Sequence, residues 1–324
     1  MNLIIQKEKL YKLQSLIALF VLCIIISILS DKFLTIANGW NVLRQISVNI
    51  CISVGMTLVV LTAGIDLSVG SVLALCGAIT AGLLKNGIEL PAQNLFIGFT
   101  LLGAIIVGLV FGGALGFFNG WVITRFKVPP FVATLAMLTM ARGLTMLWTK
   151  GFPISNLGTN FDYIGTGWFI GVPVPVWISI FVIIIALVLT TKTPLGRYIY
   201  AIGGNENAAR LSGIKIHKIK LIVYTLAGGL AALGGLMVTA RLDSAQPNAG
   251  TGYELDAIAA VVIGGTSLSG GRGSILGTVL GAIIIGVLNN GLVLLNVSPF
   301  WQQVVKGMVI LLAVIIDRAN AKND

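Results

Sequence analysis

Apolar residues in this chain come in long unbroken blocks, not in the alternation that marks a half-buried strand or the narrow stripe of a surface helix. The blocks fall at roughly 13–31, 42–63, 67–84, 94–124, 130–149, 174–191, 220–240, 256–269, 274–295 and 300–317. About 20 apolar residues in helical form cross the hydrocarbon layer of a bilayer. The pattern predicts an all-α, polytopic transmembrane helical bundle of ten spans, in a single domain over residues 1–324. The eighth block is short for a full crossing and the fourth is long for a simple one. The first follows Lys7, Lys9 and Lys12, as in a secretory leader. No small-x-small cleavage site comes after it, so an uncleaved first span is expected.

Composition agrees. Apolar residues make up 56% and charged residues 10%, with a mean hydropathy of +0.99, whereas a soluble domain carries about 25% charged residues. The net charge of +10 could suggest nucleic acid, but Lys and Arg in a membrane protein collect in cytoplasmic loops. With the N-terminus inside and spans alternating, 14 of the 21 Lys and Arg fall inside and 5 outside. Both termini are therefore expected in the cytoplasm, and no nucleic-acid partner is inferred. Arg142 and Lys306 lie within spans, near their outer ends, where their heads can snorkel to the interface. Cys23, Cys51 and Cys76 sit in apolar blocks, His217 is the lone histidine, and no metal-ligand spacing exists.

The 40 glycines suit close helix crossings in lipid. Gly108, Gly112, Gly116 and Gly120 form a ladder in the fourth block, and Gly273, Gly277 and Gly281 form one in the ninth. Asn119-Gly120 precedes Pro130-Phe131, and Asn290-Gly291 precedes Pro299-Phe300. That echo suggests two inverted five-helix repeats, a common transporter architecture.

The longest strongly polar stretch is 192–220. Asn205 is a good N-cap, Glu206 suits a first helical turn, Glu206 and Arg210 can pair at i, i+4, and Gly213 can stop a helix. A helix of about seven residues is expected there, too short to persist undocked.

Glu206, Ala208, Ala209 and Gly213 are similar to the cytoplasmic loop that permeases of ATP-binding-cassette importers insert into their ATPase subunits. Asn207 between Glu206 and the alanines departs from the fuller pattern. Leu61 to Ser71, Leu195 to Glu206, and Ser244 to Pro247 continuing through Gly250 to Val261 resemble the monosaccharide permease family of these importers. The resemblance covers the chain from about Ser15 to Asp317. It implies a multi-pass subunit of a bacterial inner membrane that moves a monosaccharide, ribose first, into the cytoplasm. It also implies two permease copies forming a homodimer, a cytoplasmic ATPase and a periplasmic sugar-binding protein. Asn205, Glu206, Asn207, Ala208, Ala209, Arg210 and Gly213 would form the ATPase-coupling segment. No phosphate loop of the G-x-x-x-x-G-K-[ST] type occurs in the chain, so ATP hydrolysis falls to another subunit. The chain itself is expected to be no enzyme and to hold no cofactor.

Asp66 either caps the third helix or serves the substrate path, as an intramembrane carboxylate invites. Asn49, Asn119 and Asn290 are the other candidates for a weakly polar path. Asp243, Gln246, Glu254 and Asp256 bracket an expected outer loop and are candidates for contact with the delivering protein. A stand-alone secondary transporter or passive sugar channel is the alternative. Ion coupling usually needs a carboxylate near the midplane, and every carboxylate here is expected at a span end. A membrane-embedded enzyme lacks any nucleophile–base pair.

Overall fold

A computed structural model describes residues 2–90 and 95–321. A helix stands at each of the ten blocks. These are α1 (Asn2–Leu29), α2 (Ile36–Leu61), α3 (Val69–Asn86), α4 (Leu101–Phe126), α5 (Pro130–Thr149), α7 (Val174–Lys192), α10 (Ile216–Leu242), α11 (Tyr253–Ile263), α12 (Ile275–Leu294) and α13 (Pro299–Ala321). Three short helices lie between them: α6 (Thr159–Thr166), α8 (Pro194–Gly204) and α9 (Glu206–Leu211). Seven of the ten, namely α2, α3, α4, α5, α7, α10 and α12, are long and apolar enough to cross a membrane. Helix α11, at the short eighth block, has only eleven residues. The strands make three small antiparallel pairs: β1 (Ile88–Leu90) with β2 (Leu95–Ile97), β3 (Ile154–Ser155) with β6 (Ser244–Ala245), and β4 (Trp168–Phe169) with β5 (Val172–Pro173).

Local chemistry sets the helix ends. The hydroxyls of Thr35, Thr100, Thr193 and Ser274 each accept the backbone N–H three residues on, which satisfies one of the orphan donors of a first turn. Pro130 begins α5 at a position where its missing N–H costs nothing.

The chain folds as two compact units. One comprises residues 1–64, 181–216 and 255–324, and the other residues 65–180 and 217–254.

In the first unit, α2 and α12 pack antiparallel. Ile46 rests on Gly286, Thr57 Oγ1 and Thr278 Oγ1 share a hydrogen bond of 2.7 Å, and Asn38 and Asn290 exchange amide bonds of 3.0 and 2.9 Å. Ile26 of α1 fills the space over Gly291. Burial of amides and hydroxyls against one another is how helices adhere where lipid offers no hydrophobic drive.

In the second unit, α3 is the buried centre, flanked by α4, α5 and α10. The glycine ladder of α4 works as expected. Gly108 lies against Thr80, Gly112 and Gly116 against α10 at Gly228 and Tyr224, and Gly120 against Leu221. A Cβ at Gly116 would overlap the Tyr224 carbonyl. The second ladder needs correction. Gly273 precedes α12 and has φ +150°, so it is a loop glycine, while Gly277 and Gly281 pack on the helix.

Large apolar side chains remain exposed on α4, α5, α7 and α13, such as Val110, Phe131, Phe181 and Leu311. Apolar faces this extensive belong against lipid or another subunit.

Candidate functional site

The segment read as a coupling element is built as its residues dictate. Asn205, extended in backbone, caps α9 by accepting the Ala208 N–H at 3.0 Å. Glu206 and Arg210 pair at 3.4 Å across one turn. Gly213 ends the segment with φ +82°, and Ile214 N–H donates back to Ala209 O. The helix has six residues. Ala209 turns inward, while Asn207, Ala208 and Arg210 are exposed. Leu211, which sequence reasoning passed over, is 90% exposed. It is an uncovered apolar side chain on a helix of one and a half turns.

What holds this segment is α8. Gly203 sits so close to Leu61 O and Gly271 N that a Cβ there would overlap both. Gly271 N–H donates to Leu61 O at 3.1 Å, and the Tyr200 hydroxyl donates to Gly273 O at 2.9 Å. The α8–α9 pair is thus fixed to the end of α2 and to the loop 264–274 between α11 and α12.

The candidate path residues fall into separate groups. Asn290 is bound to Asn38, and Asn49 is buried on α2, both in the first unit. Asp66 and Asn119 are linked through Ser68 in the second. Asp66 Oδ1 accepts the Ser68 N–H at 2.9 Å and the Ser68 hydroxyl at 2.6 Å, and Asn119 Nδ2 donates to Ser68 Oγ at 3.0 Å. Neither Asp66 nor Ser68 caps α3 in the expected way, because no side-chain oxygen takes a first-turn N–H. Asp66 instead ties the turn ahead of the helix. It is 1% exposed, and burial pushes its carboxyl above the ordinary range against the pull of the two Ser68 donors.

The outer-loop expectation fails for Asp256. It lies on α11, is 4% exposed, and accepts from Asn289 Nδ2 at 3.1 Å and Lys306 Nζ at 3.0 Å through Oδ2. An ion pair inside the bundle replaces a solvated loop carboxylate, since a lone charge there would cost several kcal/mol. Both carboxylates are buried, Asp66 in the turn between α2 and α3 and Asp256 near the start of the short α11. Lys306 does not snorkel, because Asp256 holds it. Arg142 does not snorkel either. Its Nη1 donates to Pro247 O at 2.7 Å and Ala249 O at 2.9 Å, clamping the 243–252 loop. Asp243 Oδ1 accepts the Leu157 N–H at 2.7 Å, Gln246 Nε2 donates to Ser244 Oγ, and Glu254 Oε1 accepts the Gly252 N–H. All three are partly buried, Asp243 against Leu157 and the other two within the loop's own bonding. Asn289 is the residue sequence reasoning missed, and Lys306 is the one it assigned to the interface. Their signal was polar residues inside apolar blocks, one of them beside Asn290.

Among the described residues no group of three or more His, Cys, Asp or Glu side chains could hold a metal.

A family model described as "Branched-chain amino acid transport system / permease component" matches residues 39–314. The ribose import permease of Bacillus subtilis is 53% identical over 309 residues, 95% of this chain and 92% of that protein. The ribose import permease of Escherichia coli K12 is 53% identical over 315 residues, 96% of this chain and 95% of its own length. The D-allose transport system permease of the same organism is 41% identical over 309 residues, 94% of this chain and 91% of its own. No solved structure matches the chain.

Proposed function

This chain belongs to the permease-component family of the branched-chain amino acid transport type and is a permease of a sugar importer, and we propose that its cargo is ribose. The observation that carries the proposal is identity above half over nearly the whole length of ribose import permeases from two distant bacteria. The chain is a multi-pass membrane protein; we place it in the inner membrane with ten spans and both termini cytoplasmic. ATP hydrolysis belongs to a separate cytoplasmic ATPase subunit, sugar delivery to a periplasmic binding protein, and the pore to two permease copies.

The α9 helix is the contact for the ATPase. Its cap, ion pair and exposed Leu211 support that role, as does its rigid mounting through α8. Asp243, Gln246 and Glu254 remain the candidates for the delivering protein. Asn49, Asp66, Asn119 and Asn290 remain the candidates for the path, with modest hydrogen bonding that lets sugar leave. The inverted five-helix repeat stays part of this reading, on the Asn-Gly to Pro-Phe echo at residues 119–131 and 290–300.

Liposomes holding the chain with and without its ATPase and binding protein test the reading through uptake of labelled ribose. Uptake is expected only with all components present. The buried Asp66 favours one second reading, an ion-coupled carrier, and uptake by the chain alone under an ion gradient would establish it. Glu206→Lys should abolish uptake and release the ATPase while leaving membrane insertion intact.

A further inference from the structure

Asp256, Ala260 and Gly264 stand four residues apart along α11 and the turn that ends it. They face Asn289, Gly281 and Gly277 of α12. A Cβ at Gly281 would overlap the Ala260 carbonyl, and one at Gly277 the Gly264 carbonyl. At those two steps backbone lies on backbone with no interlocking side chain. They allow close approach and fix nothing about how far α11 sits along α12. The third step is polar. Asp256 Oδ2 takes Asn289 Nδ2 at 3.1 Å and Lys306 Nζ of α13 at 3.0 Å.

Two further observations set this node apart from ordinary glue. Asn289 is 5% exposed, yet its Oδ1 is buried without a hydrogen-bond partner. Buried acceptors are nearly always satisfied, and no protein donor reaches this one. In addition, α11 is short and flanked by glycines in left-handed backbone, Gly250 and Gly252 before it and Gly265, Gly270 and Gly271 after it. Such positions turn where other residues resist. The trailing loop packs on α8 where Gly271 meets Gly203, and it accepts the Tyr200 hydroxyl at Gly273 O.

We propose that Lys306 is a positioning residue for transport: its ion pair with Asp256, steadied by Asn289, sets where α11 stands along α12 and is broken and remade as the bundle changes state. The inference rests on α9 as the ATPase contact, from which motion reaches the loop behind α11. The α11–α12 crossing is the slide, and the ion pair is its latch. The orphan Oδ1 gains its donor in the other state.

The test uses the complete importer in liposomes, reading sugar uptake and ATP hydrolysis together. The neutral pair D256N/K306Q keeps a hydrogen bond and removes both charges. It is expected to assemble with the ATPase, to lower uptake about tenfold, a typical coupling free energy, and to hydrolyse ATP without loaded binding protein. Lys306→Arg, which keeps the charge, should restore the wild-type ratio of ATP to sugar. Asn289→Leu removes the orphan acceptor and should slow uptake at an unchanged ratio. An unchanged ratio in the neutral pair overturns the latch. Should that pair fail to accumulate, wild-type uptake by Asn289→Leu overturns it instead. Wild-type uptake without any ATPase overturns the α9 reading and leaves the latch to the variants.

Discussion

In the first unit Asp256 meets a cation, with Lys306 and Asn289 both on Oδ2. In the second, Asp66 meets only the hydroxyl and backbone N–H of Ser68, itself held by Asn119. Both carboxylates are buried. The first is held by an ion pair. The second is carried by neutral donors that belong to its own turn, and burial favours its protonated form. The ion pair and its Asn289 hydrogen bond together join three helices, and the node falls apart when Asp256 goes. A turn is local, and its loss is felt locally.

Truncation separates the two arrangements. Asp256→Ala leaves Lys306 and Asn289 without their acceptor. Removing one partner of a buried pair costs about 3–5 kcal/mol, so detergent-purified protein should unfold at a markedly lower temperature. Asp66→Ala removes two hydrogen bonds from one turn and should cost about 1–3 kcal/mol. Equal losses in thermal unfolding would erase the distinction between the units.

Packing sharpens the comparison at the next level. Gly116→Ala drives a Cβ into the Tyr224 carbonyl and should cost about 1–3 kcal/mol, since both partners are backbone and neither can yield. Gly229, on the same α10 helix as Tyr224, has nothing within 4 Å of its would-be Cβ. Gly229→Ala should stay within about 0.5 kcal/mol of wild type. If both alanines are tolerated, the ladder on α4 is not what seats α10.

The ten helices were legible because apolar blocks and helical length obey one constraint, the thickness of a membrane. Even the shortness of α11 stood in the sequence as a block too brief to cross. The cap, ion pair and stop of α9 were legible too, being local chemistry at fixed spacing. What stayed hidden was where a polar side chain ends up when its block bends. Asp256 follows a loop in the sequence and so looked solvated. In the structure α11 carries it inward, to an asparagine 33 residues on and a lysine 50 residues on. Arg142 looked like an interface residue for the same reason, since nothing local announces that Pro247 and Ala249 carbonyls will come to it. Long-range partners of single polar residues leave no periodic mark.

The smallest effect lies at the α6 end of the second unit, where like charges meet. Asp162 stands in the first turn of α6, where the helix dipole favours a negative group. Its carboxyl is nevertheless raised above the ordinary value of 3.8, first by burial and then by the neighbouring Asp243 charge. Enclosure and the Asp243 charge act against the dipole here. A carboxyl held higher in the folded state than in the unfolded one contributes stability while protonated. That contribution is whole below the unfolded value and is lost as pH rises through the folded one. Wild-type melting temperature should therefore fall as pH climbs from 3.8 toward neutrality, on top of any other titration. Asp162→Asn removes the step and turns a repelled charge into a donor for Asp243. Its profile should be flatter, close to wild type in acid and above it at pH 7. Asp243 keeps the Leu157 N–H in both proteins, so the loop geometry is not at stake. A variant that melts below wild type at neutral pH would mean that the dipole wins after all and that Asp162 belongs in its charged form.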